Sequence, residues 1–184
     1  MRRKDVSVLI DLHQTIIANI AQAMYSSKDM VLEKDLIRHM IFNSIRAYAS
    51  KFKRTYGEMI ICCDGFNYWR KKYFPHYKAG RKKAKEASPI DWTLVHNTIN
   101  ETVADLKEHF PYKVIHLECC EADDIIGVLC GGANKTVIVS ADKDFGQCKI
   151  HAHVSQYNPI QAKFVSIDDP AMFLKEQILR GDRS

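Results

Sequence analysis

The sequence has no long apolar run, no CxxC pair and no low-complexity linker, and each absence excludes a class of protein. The N-terminal residues 1–5 are followed by an apolar stretch of only strand length, which ends at Asp11. This stretch is too short and too acidic for a signal peptide or a membrane span. The six cysteines lack the paired spacing of a zinc site, and most lie in or beside apolar runs. Such cysteines are typical of buried thiols in a reducing cytosol, so we expect a cytoplasmic protein that does not bind a membrane.

The composition is that of an ordinary globular protein. The chain has 184 residues, of which 46% are hydrophobic and 27% are charged, and its formal net charge is +5. This length suffices for one core, with room for a small appendage.

Strand-length apolar runs alternate with helical patterns along most of the chain. We predict strands at residues 5–11, 58–63, 112–117 and 136–141, and helices at residues 13–26, 33–55, 92–109, 121–130 and 169–179. Residues 151–167 are expected to form a short antiparallel pair. This alternation predicts an α/β fold with a mainly parallel central sheet and helices on both faces.

Carboxylates follow each of the four predicted strands. They are Asp11, Asp64, Glu121, Asp123, Asp124, Asp142 and Asp144. Because ligands bind at the C-terminal edge of an open parallel sheet, we expect these side chains to meet there. They would repel one another unless cations neutralised them, and clusters of oxygen ligands suit Mg²⁺ or Mn²⁺. The sequence therefore predicts a divalent-metal site, which Asp11 and Asp64 would close from beneath.

The spacing of the paired acids suits two metal ions and hydrolysis of a phosphodiester. Glu121 and Asp123 can turn toward one ion, and Asp142 and Asp144 can turn toward a second. Two metal ions about 4 Å apart polarise the phosphate, activate water and neutralise the leaving oxygen. Asp124 is more simply explained as a helix cap or as a hydrogen-bond partner of a metal-binding residue.

One segment, residues 65–90, interrupts the alternation, and we call it the basic insertion. Between Asp64 and Glu86 it contains no acid. Its basic residues are Arg70, Lys71, Lys72, Lys78, Arg81, Lys82, Lys83 and Lys85, and its aromatic residues are Tyr68, Trp69, Tyr73, Phe74 and Tyr77. Cations neutralise phosphates and aromatic rings stack on bases, which favours nucleic-acid binding. The alternative is a solvated basic loop whose aromatic residues pack on the core.

The motifs, taken in order, resemble those of a known family. They are Leu9-Ile10-Asp11, Cys62-Cys63-Asp64, Glu121-Ala122-Asp123-Asp124 and Ser140-Ala141-Asp142-Lys143-Asp144-Phe145. Together they are similar to the motif series of the 5′-nuclease family, which comprises flap endonucleases and the 5′-nuclease domains of bacterial DNA polymerases. The stretch from Tyr68 to Arg81 is most similar to that of the T-even phage members. The resemblance covers almost the whole chain and implies a PIN-like 5′-nuclease fold in which the basic insertion is a helical arch.

The resemblance also implies roles for individual residues. It implies a first metal bound by Asp11, Asp64, Glu121 and Asp123, and a second bound by Asp142 and Asp144. It implies that Asp123, Lys78 and Arg70 are catalytic, with Arg70 near the scissile phosphate. Arg70, Tyr77, Lys78, Arg81 and Lys82 would contact the strand that is cut.

The implied activity is that of a 5′-to-3′ nuclease with flap endonuclease and RNase H activity. Its substrates would be DNA and RNA–DNA duplexes with 5′ ends or flaps, from which it would remove RNA primers and displaced flaps. The implied protein is a monomer in the cytoplasm of a phage-infected bacterium. A sliding clamp and a single-strand-binding protein are its expected partners.

The sequence departs from the family pattern at its C-terminal end. The family continues a Gly-Asp-x-x-Asp motif into a helix–hairpin–helix element that binds duplex DNA, whereas this chain shows Gly181-Asp182-Arg183-Ser184. The later aspartate, a ligand of the second metal in the family, would fall just after Ser184. We therefore expect residues 1–184 to be the catalytic domain alone, without the duplex-binding part and with reduced activity.

Three other functions are compatible with parts of the sequence. A haloacid-dehalogenase phosphatase also begins with an aspartate after its first strand, but it needs a second aspartate where this chain has His13. A PIN-type ribonuclease shares the fold and the acids, but the long basic insertion argues against it. A branched-DNA-binding module without turnover would result from an incomplete second metal site. Metal-dependent cleavage of a 5′ flap distinguishes the flap nuclease from the last two alternatives.

Overall fold

The apolar runs of the sequence form the strands of one sheet. A computed structural model describes residues 7–27, 30–132 and 135–181, except for the side chain of Lys82. Within these residues the strands are β1 (Ser7–Asp11), β2 (Glu58–Cys63), β3 (Lys113–His116), β4 (Thr136–Val139), β5 (Val154–Asn158) and β6 (Lys163–Phe164). Residues 5 and 6 of the first predicted strand, and the motif residues 182–184, lie outside the described residues.

The sheet has the order β3-β2-β1-β4-β5-β6. The first five strands are mutually parallel, and β6 is antiparallel to β5. The predicted α/β class with a mainly parallel sheet is confirmed. The chain runs from β1 outward to β3 and then returns to β4 on the other side of β1. The C-terminal ends of β1 and β4 therefore border a topological switch point, where ligands bind in open α/β sheets.

The predicted helices form within one residue of their expected bounds. The helices are α1 (Leu12–Ser26), α2 (Lys34–Tyr56), α3 (Trp69–Tyr73), α4 (Gly80–Glu86), α5 (Trp92–His109), α6 (Ala122–Cys130) and α7 (Pro170–Arg180), and a 3₁₀ helix covers Lys143–Ile150. Aspartate side chains cap three of the described α-helices: Asp11, Asp91 and Asp169 each accept a hydrogen bond from a backbone N–H in the first turn. None of the described helices combines the length and apolar character needed to cross a lipid bilayer.

Alternate residues of each central strand face two different layers of helix. In β4, Val137 and Val139 pack in a cluster with α1, α2 and α5, whereas Ile138 packs in a second cluster with α6 and the 3₁₀ helix. In β1, Ile10 and Leu9 divide in the same way. This is the alternation expected of strands covered on both faces, so the prediction of helices on both faces is confirmed.

The segment at residues 151–167 forms more than the short antiparallel pair that we predicted. The antiparallel pairing exists, since Tyr157 and Asn158 lie opposite Phe164 and Lys163. However, β5 also pairs in parallel with β4 and extends the main sheet. The parallel pairing was not predicted, because the 3₁₀ helix that makes this crossover has no helical periodicity of apolar residues.

The basic insertion contains two short helices, α3 and α4, and is fixed at its start to the loop before α6. The backbone N–H groups of Gly65, Phe66 and Trp69 donate to the carbonyl oxygens of Cys120, Glu118 and Cys119 at 2.8, 2.7 and 3.0 Å. The insertion therefore begins beside the N-terminus of α6, where three of the predicted site acids lie.

Candidate active site

Asp11 lies at the buried centre of the site, at the end of β1. Its side chain is 3% exposed. One carboxylate oxygen accepts a hydrogen bond from the Gln14 backbone N–H at 3.2 Å, and the other accepts from the Ser140 hydroxyl at 3.1 Å. Burial, together with the charges of Asp123 and Asp64, raises the pKa of Asp11 well above its usual value. The site thus contains negative charge that the protein only partly compensates.

Two glutamines that sequence reasoning missed hold the chain after β4. The Gln14 side-chain oxygen accepts a hydrogen bond from the Ala141 N–H at 3.1 Å. The Gln156 amide donates to the carbonyl oxygens of Ser140 and Asp142 at 3.1 and 2.6 Å. The position of Gln14, in the first turn of the helix that begins after Asp11, is a signal that could have identified it.

Asp64 connects the end of β2 to the start of α6. Its carboxylate accepts a hydrogen bond from the Ala122 N–H at 2.8 Å, and its own N–H donates to the His13 Nδ1 at 3.2 Å. Asp64 therefore helps to fix the helix terminus that carries Glu121 and Asp123.

Glu121 binds the basic insertion through both of its carboxylate oxygens. Its side chain is only 1% exposed. One oxygen accepts hydrogen bonds from Arg70 at 2.9 Å and from the Tyr77 hydroxyl at 2.8 Å, and the other forms an ion pair with Lys78. Burial and the bond to Glu121 raise the pKa of Tyr77, so this hydroxyl keeps its proton. Three of the predicted strand-contacting residues therefore meet at one predicted metal ligand.

Asp124 is the main anchor of Arg70. The guanidinium binds the carboxylate in a bidentate manner, with N–O distances of 2.9 and 2.8 Å. The carboxylate also accepts from the Trp69 indole N–H at 3.2 Å and from the Glu121 backbone N–H at 2.9 Å. Burial acts to raise the pKa of Asp124, but these hydrogen bonds outweigh it and hold the pKa below its usual value. Asp124 thus positions α3 against α6.

Asp123 differs from its neighbours because its carboxylate has no hydrogen bond or ion pair with the residues that the structure describes. Burial, followed by the charges of Asp142 and Asp64, raises the pKa of Asp123 to about 6, although the nearby Lys78 acts in the opposite direction. Asp142 accepts a hydrogen bond from the Asp144 N–H at 2.9 Å, and the Asp144 side chain is exposed.

Four of these carboxylates line one cleft of about 850 Å³, which we call the acidic cleft, whereas Asp11, Asp64 and Glu121 are not among its lining residues. Its acidic wall comprises Asp123, Asp124, Asp142 and Asp144, and its basic wall comprises Arg70, Lys78 and Arg81. The side chain of Lys82, predicted to bind the same strand, lies outside the described part of the structure. The structure therefore brings four of the seven predicted acids into one cleft with three of the predicted cationic residues.

The chemistry of the acids fits a hard divalent cation. In the described residues, no three histidine, cysteine, aspartate or glutamate side chains converge closely enough to hold a metal ion. The donors are nonetheless all carboxylate oxygens, and burial followed by neighbouring negative charge raises the pKa values of Asp11 and Asp123, both of which effects a bound cation would offset. The residues present therefore suit Mg²⁺ or Mn²⁺ better than a softer metal.

The pKa of Asp123 predicts a pH dependence of stability. An aspartate whose pKa rises from 3.8 in the unfolded chain to about 6 in the folded chain stabilises the fold below pH 4, and that contribution is lost as the pH rises through 6. Asp123→Asn mimics the neutral form at every pH. Without metal, we expect the variant to exceed the parent in free energy of unfolding by up to ~3 kcal/mol at pH 7.5 and to equal it near pH 4. Urea denaturation in EDTA over this pH range measures the difference, and a constant difference would contradict the assignment.

Comparison with known proteins supplies a family for this fold and site. The family model described as 5′-3′ exonuclease, N-terminal resolvase-like domain, matches residues 7–177. The chain is 32% identical to ribonuclease H of Enterobacteria phage T4 over 189 aligned positions, which cover 98% of this chain and 61% of that protein. It is 23% identical to the flap endonuclease Xni of Shewanella loihica, covering 90% of this chain and 60% of that protein. The chain thus spans about three-fifths of the length of these relatives.

A solved structure supports the same fold. T5 5′-exonuclease with bound divalent zinc ions superposes with a TM-score of 0.69 at 14% sequence identity, covering 92% of this chain and 64% of that one. At this identity the likeness establishes the fold alone.

Proposed function

The chain belongs to the 5′-3′ exonuclease family through its N-terminal resolvase-like domain, and we propose that it carries the catalytic centre of a metal-dependent 5′-to-3′ nuclease. Its substrates are DNA and RNA–DNA duplexes with 5′ ends or flaps, and its task is the removal of RNA primers and flaps. Relatives named ribonuclease H and flap endonuclease support this substrate class. Association with a sliding clamp or a single-strand-binding protein stays a prediction.

One observation carries the proposal: a partly buried carboxylate, without a hydrogen bond or ion pair among the described residues, shares the acidic cleft with three basic side chains. Asp123 has a pKa raised to about 6 by burial and by neighbouring acids, as expected of a group that binds a cation. Arg70, Lys78 and Arg81 line the same cleft and suit a phosphate chain. A phosphodiester and a divalent cation together would complement both walls.

The carboxylates have the role of holding metal. We assign this role to Asp11, Asp64, Glu121, Asp123, Asp142 and Asp144. When bound, two divalent cations supply the positive charge that phosphodiester hydrolysis requires. Asp124 keeps Arg70 in place, because its bidentate pairing restricts the guanidinium to one orientation.

The basic insertion has the role of binding and orienting the strand. The side chains of Lys78 and Arg70 neutralise Glu121 in this structure. An incoming phosphate would compete with Glu121 for these two side chains. Tyr77, Arg81 and Lys82 would contact the same strand. In this assignment Lys78 and Arg70 place positive charge against the phosphate at the point of cleavage.

Cleavage of a 5′-labelled flap duplex, with and without Mg²⁺, tests the proposal. We expect Mg²⁺-dependent release of the flap by the 184-residue chain and no release in EDTA. A folded chain that binds the flap but does not cut it in Mg²⁺ or Mn²⁺ would refute the proposal for this chain. Cleavage of single-stranded RNA in preference to the flap would instead indicate a PIN-type ribonuclease.

A branched-DNA-binding module is the second candidate, and the contacts of Glu121 favour it. Both carboxylate oxygens of Glu121, a predicted metal ligand, are already bound by side chains of the basic insertion. This arrangement keeps Arg70 and Lys78 ordered without a metal ion. Flap binding that is equally tight with and without Mg²⁺, and that leads to no cleavage, would support this alternative.

Lys78→Ala is expected to lower the rate of flap cleavage by about 100-fold, because it removes a cation from the proposed phosphate site. Lys78 also has a φ of 56°, a left-handed conformation that is unusual outside glycine and that often occurs at functional sites. The matched control is Lys83→Ala in the same insertion, whose side chain is exposed. Single-turnover kinetics measure the cleavage rates of both variants. Equal rates for Lys78→Ala and the parent would show that Lys78 has no role at the phosphate site.

A further inference from the structure

A glutamine on β5 holds the backbone that carries the last two acids of the site. Gln156 lies opposite Ile138 of β4 in the sheet, and it is 1% exposed. The main-chain pairing of these two strands continues to Ser140, whose N–H still donates to a carbonyl oxygen of β5 at 3.2 Å. Asp142 and Asp144 follow this point, and hydrogen bonds from side chains hold the chain there.

Both N–H groups of the Gln156 amide are used in this contact. The amide nitrogen donates to the carbonyl oxygens of Ser140 and Asp142 at 3.1 and 2.6 Å. A primary amide has two N–H donors, so this pair of bonds occupies both of them. The residue between the two carbonyls, Ala141, donates its N–H to the Gln14 side-chain oxygen at 3.1 Å. Two glutamine side chains therefore fix three consecutive residues at the start of the segment that carries the acids.

The same three residues are linked to Asp11 at the end of β1. The Ser140 hydroxyl donates to the Asp11 carboxylate at 3.1 Å and accepts from the Asp142 N–H at 3.1 Å. The Asp142 carboxylate in turn accepts from the Asp144 N–H at 2.9 Å and caps the 3₁₀ helix. A displacement of the backbone at residues 140–142 would therefore move two of the proposed metal ligands relative to a third.

The Gln156 side chain also carries a cost for the stability of the fold. Its amide oxygen is buried and has no hydrogen-bond partner among the described residues. A buried acceptor without a donor is unfavourable, so it offsets part of what the two bonds of the amide nitrogen contribute. The net effect on stability is therefore small, and the main consequence of the side chain is the position of the segment that it holds.

We propose that Gln156 is a positioning residue for the divalent cation that Asp142 and Asp144 would hold. Its amide sets the distance between these two carboxylates and Asp11, and it acts through the backbone of residues 140–142. This role rests on the proposed nuclease function, because that function assigns the three acids to the metal site. Loss of a residue that orients metal ligands typically weakens metal binding or activity by about 10–100-fold.

Binding of Mn²⁺ in the absence of nucleic acid tests this role without requiring cleavage. Gln156→Met removes the amide but keeps the length of the side chain, and electron paramagnetic resonance of the free ion measures binding to the 184-residue chain. We expect Gln156→Met to weaken one Mn²⁺-binding event by about tenfold. Asp142→Asn should weaken the same event, and the double variant should bind little worse than Asp142→Asn alone, because both residues act on one site. The matched control is Gln22→Met, the same change at an exposed position of α1, which should bind Mn²⁺ as the parent does.

Thermal melting in EDTA checks that the variants are folded. Gln156→Met should melt close to the parent, because the two lost hydrogen bonds are partly offset by removal of the unpaired oxygen. If this variant does not fold, Gln156→Asn replaces it. Asparagine keeps a polar side chain but withdraws the amide by one methylene, so the same loss of Mn²⁺ binding is expected.

The outcomes distinguish the positioning role from the nuclease function. Unchanged Mn²⁺ binding by a folded Gln156 variant would overturn the positioning role, and so would fully additive effects of Gln156→Met and Asp142→Asn. If the parent also cleaved the flap in Mg²⁺, the nuclease function would stand without that role. Weakened Mn²⁺ binding in a chain that cuts no flap would leave the positioning role valid and refute only the nuclease.

Discussion

Asp123→Asn is expected to lower flap cleavage by about 1,000-fold while leaving the chain folded. The substitution keeps the volume of the side chain but removes a carboxylate of the acidic cleft that has no hydrogen bond or ion pair with a described residue. Without that charge the site binds divalent cations poorly, and the several kcal/mol of transition-state stabilisation that they supply are lost. Single-turnover cleavage in saturating Mg²⁺ measures the loss.

The matched control for this prediction is Asp35→Asn, an exposed aspartate on α2. It should cleave at the parent rate. Mg²⁺ should also raise the melting temperature of the parent and of Asp35→Asn, but not of Asp123→Asn, because a ligand stabilises only a fold that binds it. Normal turnover by Asp123→Asn would refute the assignment of this residue to the metal site.

Gly65→Ala is expected to destabilise the fold by about 3 kcal/mol or more and to abolish cleavage. A Cβ atom at this position would lie 1.8 Å from the carbonyl oxygen of Leu117 and 2.7 Å from that of Glu118. These are backbone atoms, which cannot rotate away as a side chain can. The loop must therefore separate, which disturbs both Asp64 and the start of the basic insertion.

Gly127→Ala is the opposite case and serves as the control. Gly127 lies in α6, and a Cβ there meets nothing within 4 Å, so alanine should stabilise the chain by about 0.5–1 kcal/mol. Urea denaturation of the two variants measures both effects. If Gly65→Ala were as stable as the parent, the backbone at Gly65 would not lie as close to Leu117 and Glu118 as described here.

Much of the fold could be predicted because its strands are short apolar runs with acids at their ends. Both β2 and α5 were predicted at their observed bounds. The resemblance to the 5′-nuclease family is likewise confirmed by the family match and by the phage relative. Local signals suffice for these features, because hydrophobic periodicity and capping act within a few residues.

The side-chain contacts of the site could not be predicted, because they join residues far apart in sequence. No spacing indicated that Glu121 would pair with Lys78, or that Gln156 on β5 would hold the carbonyl groups after β4. The sequence identified acids and bases in separate segments. It set Asp124 apart as a helix cap or hydrogen-bond partner, but it did not indicate that Arg70 of α3 would bind Asp124 and leave Asp123 without a partner among the described residues.

The division of each central strand between two apolar clusters has a consequence for engineering. The cluster formed with α1, α2 and α5 lies on the opposite face of the sheet from α6 and the 3₁₀ helix, which carry Asp123 and Asp144. Val137 and Ile138 are adjacent in β4 but belong to different clusters. A heat-tolerant variant can therefore be sought by repacking around Val137, while the layer around Ile138 is left intact to preserve the spacing of the acids.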